Sequence, residues 1–582
     1  MFSEQSTHLV EIKNLKFITD DSIWHSKTAI ITISVPGRVN PIIELLGYSE
    51  IDEIYKWIDE GKSVNLNHCY INKFSLSEYR QLRKLDPKQV ISIHGFTAVN
   101  SFIDSSTVLD FSYGSFCDND FSIEKSWVFK GNMNFNYSGF TGVNVNISNV
   151  HFKDGNFDFA NVKIDTGNTN FKNSIFANGK KDFQYTDFGT GQKIFTNLEF
   201  NNGDASFINT LFNDGDVSFK VARWGNGKVD FHYAKFGVGD ITFEQAEFGN
   251  GPVDFRTVEW GTGKINFNRS VFGNADVSFE GSELNEGKFN FKKATFGKGN
   301  LNFELAEFKN AELAFDRSDF GAGNISFYNS KFKTLSLNSC HLDHYTDIRL
   351  AYCKFIDLSN SIVRDIIDLK PYEFVEEIYT ISFVGMRLIG RIYIDWEQNK
   401  VVKLIESQKD VNHRLRSEQY RTLKENFRVT GQYADEDEAY VEFKRHEALA
   451  DLEDSISKRP VSALWMYPAH GFKLLVFDKA GLYATNPMRV IISMAVAYGF
   501  YSLLYIVLEY TTNSLLLETV SHNETATVVG KAFYFSFVTY FTIGYGDFVP
   551  MGAMRWVAGL EAFTGLFLMS YFTVAFVRKI LR

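Results

Sequence analysis

Between Phe111 and Phe332 two apolar positions recur every 12 residues, and no other feature of the chain restricts its fold as tightly. One ladder runs Phe111, Ile123, Phe135, Ile147, Phe159 and then Phe at every twelfth position to Phe327. The second lies five residues later, from Phe116, Val128, Phe140, Phe152, Ile164 and Phe176 through Trp224, Trp260 and Leu284 to Phe332. No polar residue interrupts either. In the unit that begins at Val229, the inward candidates Val229, Phe231, Ala234 and Phe236 follow the pattern of short strands, and Gly237-Val238-Gly239 turns the chain. Such periodicity predicts a β-solenoid. A 12-residue coil would have to enclose two Phe rings, a Val and an Ala, which is too tight. The expectation is a 24-residue coil with four faces and eight inward residues, in about 9–10 coils stacked over roughly 45 Å. The 57 Phe and 42 Gly among 582 residues are accounted for by this repeat.

The unit resembles two pentapeptide repeats (small-x-Phe-x-x) joined by a two-residue insert containing Gly. Its Gly-x-Gly pairs are not phosphate loops, because no Lys-Ser/Thr follows and they recur with the repeat. With 60 basic and 70 acidic residues the net charge is −10, which speaks against nucleic acid as a partner. DNA mimicry, known among pentapeptide proteins, is the weaker reading of that acidity. The four cysteines, Cys69, Cys117, Cys340 and Cys353, form no CxxC pair, which argues against a disulfide framework or a zinc site and suits a reducing cytoplasm. The N-terminus has no basic-then-apolar signal sequence. Neither a nucleophile–base pair nor a metal motif is visible, so an enzyme is not expected and no cofactor is implied beyond K⁺ as a transported ion.

Two segments near the C-terminal end read as membrane spans. Val490–Leu508 carries no charge over 19 residues, and Trp556–Val577 carries only Glu561 over 22. The shorter one extends about 28 Å as a helix. Lys473, Lys479 and Arg489 precede the first span, and Arg578, Lys579 and Arg582 follow the second. The intervening loop mixes Lys531 and Arg555 with Glu509, Glu518, Glu524 and Asp547. The positive-inside rule then puts both termini in the cytoplasm and the chain in the plasma (inner) membrane, with lipid as a neighbour. A sequon, Asn523-Glu524-Thr525, falls in that outer loop.

Between the spans, Val528–Tyr540 is too short to cross a bilayer and reads as a re-entrant helix, followed by Thr542-Ile543-Gly544-Tyr545-Gly546-Asp547. A dehydrated K⁺ needs carbonyl oxygens in place of water. Neighbouring carbonyls face one axis only if some residues take φ > 0, which Gly544 and Gly546 do cheaply. The Thr542 hydroxyl adds an oxygen, Tyr545 wedges outward, and the helix aims its negative end at the cavity.

From Pro487 to the end, about 95 residues, the chain resembles the two-transmembrane potassium channel family, whose filter is itself a standard worked example of ion selectivity. The resemblance implies K⁺ sites at Thr542, Ile543, Gly544 and Tyr545, filter support from Asp547, and an aromatic cuff at Tyr534 and Phe535. Val538 stands where some members have Glu, and Tyr545 is kept where non-selective relatives have Asp. It also implies a hinge near Gly565 or Gly559, although both glycines equally suit close helix packing. One filter per chain calls for a homotetramer around the axis. Glu561 is costly facing lipid, about 2.5–3.5 kcal/mol, and is expected to face the pore helix or cavity.

The expected organisation is multidomain. It comprises an α/β domain over 1–105 (strand Ala29–Val35, helix Ile51–Glu60), the solenoid over 106–340 and its irregular end over 341–400. An αα-hairpin resembling one tetratricopeptide unit follows over 401–457, then an interfacial linker helix over 458–489 and the pore domain over 490–582. About five residues follow the second span, and neither a nucleotide-binding fingerprint nor a voltage-sensor helix is visible. The gate is therefore expected to be biased by the cytoplasmic domains through the linker and first span, and to close at Phe572 and Phe576. The N-terminal domains are the expected site for a cytoplasmic protein or small-molecule regulator. The alternatives are a weakly selective cation channel and a membrane-tethered scaffold.

Overall fold

The computed structural model describes residues 6–19, 24–371, 377–519 and 527–581; the sequon at Asn523 and the terminal Arg582 lie outside them. The chain divides into two compact units, Met1–Gln408 and Lys409–Arg582.

In the first unit, parallel strands pair with partners 24 residues on, at four places in each coil. Leu109 pairs Met133, Ser115 pairs Gly139, Phe121 pairs Val145, and Trp127 pairs His151. The eight inward residues of one coil, Val229, Phe231, Ala234, Phe236, Ile241, Phe243, Ala246 and Phe248, are all buried. Rings from successive coils stack face to face: Phe207 on Phe231 at 4.5 Å and Phe219 on Phe243 at 4.9 Å between centroids. Each buried Phe contributes about 2–3 kcal/mol, and the ladders therefore fix the coil register. The four-faced, 24-residue coil is thus the observed one.

Two details differ from the sequence expectation. The solenoid covers residues 91–393 in about 12 turns rather than 9–10. Beyond Ile325 the period leaves 24 residues: two coils take 21, with Ile325 pairing Thr346 and Thr346 pairing Ile367, and the last takes 25, with Ile367 pairing Ile392, so the 12-residue spacing no longer marks it. Nor is turning the chain left to glycine. Two residues after each first-ladder position the backbone enters the left-handed region, at Asn161 (φ 56°), Val221 (58°) and Tyr233 (59°) among others. Many glycines serve close approach instead: a Cβ on Gly249 would run into the Gly225 carbonyl one coil below.

Before the coils, strands Thr7–Lys13, Lys27–Ser34 and Ile42–Tyr48 form an antiparallel sheet, followed by helix Ile51–Asp59. After them, the short helix Val401–Glu406 buries Leu404 and Ile405, and Gln408 Nε2 donates to the Ile381 carbonyl at the solenoid's end.

The second unit opens with the hairpin, whose first helix is His413–Thr430. Gly431 (φ 77°) ends it in the left-handed conformation, and the second helix runs Tyr433–Lys458. Arg414, at the start of the first helix, reaches Asp451 and Asp454 near the end of the second, both at 2.8 Å, so the two are antiparallel. Next come helix Ala463–Lys473, a π-helical turn Leu474–Lys479, and three consecutive left-handed residues, Leu482, Tyr483 and Ala484. Three long-range elements complete the unit: an outer helix Pro487–Thr511, a pore helix Val528–Tyr540 and an inner helix Met554–Ile580.

Candidate functional site: the pore loop and its scaffold

The outer and inner helices, 25 and 27 residues long, are long and apolar enough to cross a membrane. Ile492, Val496, Phe500, Leu503 and Val507 are exposed at helical spacing along the outer helix, giving one apolar face. The outer helix and the short helix Val528–Tyr540 each start on a local signal. Asn486 accepts a hydrogen bond from the Arg489 amide at 3.0 Å, and Pro487 occupies the first turn, where its missing N–H costs nothing. Thr527 caps the pore helix through the Gly530 amide at 3.2 Å.

Past the pore helix the backbone alternates in hand. Thr542, Gly544 and Gly546 have φ of 52°, 67° and 78°, whereas Ile543 and Tyr545 between them stay at negative φ. Alternation of this kind turns successive carbonyls to the same side, as a row of cation ligands requires. The glycines were expected to take this conformation; Thr542 does so as well, at a steric cost that an L-residue bears only where its surroundings enforce it. Here the Thr542 and Ile543 amides donate to the Thr539 and Val538 carbonyls, at 3.0 and 2.9 Å, and lock the entry to the loop.

The outer end is tied down too. Tyr534 Oη donates to Asp547 Oδ2 at 2.7 Å, the Thr519 amide donates to the Asp547 carbonyl at 3.0 Å, and the Thr519 hydroxyl donates to the Gly546 carbonyl at 2.6 Å. Of the two cuff candidates, Tyr534 therefore braces the loop, while Phe535 packs edge-on against Tyr505 of the outer helix at 5.2 Å. Val538 is buried behind the loop. Tyr545 is 70% exposed in the single chain, so its ring is not wedged among the described residues.

Glu561 is fully buried and joins all three helices: its carboxylate accepts from Tyr505 Oη of the outer helix at 2.7 Å and from Ser536 Oγ of the pore helix. It faces the pore helix rather than lipid. Its partners are invisible in sequence because each is a common residue about 25 or 56 positions away. The two inner-helix glycines separate by environment. A Cβ on Gly565 would meet the Tyr540 backbone carbonyl, whereas one on Gly559 would meet nothing within 4 Å. The inner helix runs unbroken through both. Phe572 is half-buried against the Tyr571 cluster and lies 5.6 Å from the exposed ring of Phe576.

Residues 491–582 match a protein-family model described as "Ion channel". The chain carries an ion channel domain. No curated protein and no solved structure matches the chain.

Sequence reasoning did not find the contacts that hold this channel domain to the hairpin. Asp437 on the second hairpin helix, buried among its neighbours, accepts from Arg578 Nη2 and Lys579 Nζ at the end of the inner helix, both at 2.8 Å. The Arg578 guanidinium also lies 4.5 Å over the Tyr440 ring. About two turns beyond Asp437 on the same helix, Arg445 grips the buried Asp478 of the linker at 2.8 Å. Tyr571 Oη completes the joint, donating to the Phe477 carbonyl at 2.9 Å and accepting from the Ala484 amide at 2.8 Å. In sequence Arg578 and Lys579 read only as positive-inside charges.

Proposed function

We propose that the chain forms a homotetrameric, K⁺-selective channel of the plasma (inner) membrane, with both termini cytoplasmic, gated through its cytoplasmic domains. The single observation that carries this reading is the alternating backbone hand over Thr542–Gly546 at the end of a pore helix, set between two apolar helices. Four such loops around an axis supply rings of carbonyls that replace the hydration shell of K⁺, and passage is passive. The exposed Tyr545 ring supports the same reading, since a neighbouring subunit is what would cover it. In proteoliposomes loaded with K⁺, the protein should release the ion down its gradient once a proton ionophore allows charge balance. Gly544→Ala should stop it, because Ala cannot hold φ 67° without strain. Equal release from the variant would contradict the filter assignment.

The gating half of the reading rests on the Asp437 joint. Asp437 is 7% exposed and Arg578 21%, so removing one partner leaves a poorly solvated charge at a cost of about 1–3 kcal/mol. The second hairpin helix therefore restrains the inner helix end where the pore lining, with Phe572 and Phe576, would have to splay. Asp437→Asn should raise open probability at least fivefold in planar bilayers. Exchanging the charges (Asp437→Arg with Arg578→Asp) should bring it back toward the native value. An unchanged open probability in both would remove the hairpin from gating.

A further inference from the structure

At one corner of the first coils, His94, Cys117 and Asp118 bring a nitrogen, a sulfur and an oxygen within 4.8 Å of one another. The solenoid register makes this juxtaposition. Ile91, Ser92 and Ile93 pair with Gly114, Ser115 and Phe116, so the next residues, His94 and Cys117, fall side by side and Asp118 follows, 24 positions after His94. His94 Nδ1 lies 2.6 Å from Asp118 Oδ2. Asp118 takes φ 66°, which turns its carboxylate back beside Cys117.

Surrounding groups fix the backbone of the corner. The Cys117 amide donates to the Ile93 carbonyl at 3.1 Å, and Asn119 Nδ2 donates to the His94 carbonyl at 2.8 Å. Ser92 Oγ sits 3.7 Å from the Cys117 sulfur, where a hydroxyl can donate to a thiolate. The repeat itself does not call for these residues: the equivalents of Cys117 and Asp118 one coil on are Thr141 and Gly142, and two coils on Asp165 and Thr166. Accessibility singles out the same cysteine. Cys69, Cys340 and Cys353 are buried, and burial pushes the thiols of Cys340 and Cys353 up to about 12, while Cys117 alone among the four reaches the surface.

We propose that His94, Cys117 and Asp118 form a site for a divalent transition-metal ion, of which Zn²⁺ has the matching chemistry. One imidazole, one thiolate and one carboxylate suit a borderline-soft ion, and three protein ligands leave a fourth position for water or another ligand. Hard cations such as Mg²⁺ gain little from the thiolate. Zn²⁺ bonds of about 2.0–2.3 Å place tetrahedral ligand atoms roughly 3.3–3.7 Å apart. The His94–Asp118 contact opens, and the longest separation closes, by about 1 Å each. Side chains as exposed as His94 (40%) and Asp118 (63%) make that adjustment by rotation.

The test uses tag-free full-length protein in detergent, stripped with a chelator and titrated with Zn²⁺ against a chromophoric competitor. One Zn²⁺ per chain is expected, with affinity falling at least tenfold in His94→Ala and in Cys117→Ser, and with no competition from Mg²⁺. Co²⁺-loaded protein should show a thiolate-to-cobalt absorption band that Cys117→Ser lacks. Equal Zn²⁺ affinity and stoichiometry in native protein and both variants would overturn the site. So would a cobalt spectrum without the thiolate band, leaving a His94–Asp118 ion pair and nothing more.

Discussion

At the scale of single residues, function depends on a few positions whose surroundings decide their role. Gly565→Ala forces a methyl group into the Tyr540 carbonyl, which costs about 1–3 kcal/mol by overpacking. Gly559→Ala meets open space and gains up to about 1 kcal/mol in helix propensity. The first should lower the melting temperature of detergent-solubilised protein and the second should not; the reverse order would restore a hinge role to Gly559. Glu561→Ala should likewise lower it, since it orphans the buried Tyr505 hydroxyl at about 1–3 kcal/mol and leaves Ser536 only the Tyr498 carbonyl at 3.5 Å. The positive φ of Gly544 and Gly546 was legible because glycine at alternate positions suits that conformation. The partners of Glu561 were not, because hydrogen bonding between helices leaves no spacing rule in sequence.

Among the elements, the solenoid was legible in its ladders and in the inward column of Val229, but not in the lysine that this column also admits. Lys181 stands in the column of Phe157 and Ala205, fully buried, with Nζ donating to the Ala177, Phe200 and Asn202 carbonyls at 2.8, 2.8 and 3.0 Å. Lys193 is buried in the same way, donating to the Asp214 carbonyl at 2.6 Å. Burial lowers both ammonium groups from 10.5 to about 8. Between pH 8 and 10.5 the unfolded chain holds protons that the folded chain has shed, so stability rises with pH across that window. The gain per lysine is at most about 3 kcal/mol. Urea unfolding of the full chain, read by the buried Trp224 and Trp260, should show the rise, and Lys181→Met should flatten it. A midpoint falling steadily above pH 8 would contradict the burial of both groups. The coils past Ile325 were read only as an irregular end of the solenoid and not counted as turns, since their spacing leaves the one period that marked the coil.

For the whole molecule, the account joins a long repeat to a short pore domain, and the two were legible to different degrees. The two long apolar helices and the short helix between them could be read because their length and apolar composition are local in sequence. The hairpin joint could not: Asp437 and Arg578 are 141 positions apart, and each is an ordinary surface residue by composition. The metal corner was missed for a third reason, because ligand-spacing rules see residues close in sequence, whereas a coil sets neighbours 24 positions apart side by side. The decisive measurement is the reversal potential of the purified full-length protein in planar bilayers with K⁺ on one side and Na⁺ on the other. A potential near the K⁺ limit that collapses in Tyr545→Asp is the predicted result; a potential near zero in the native protein would contradict the central claim.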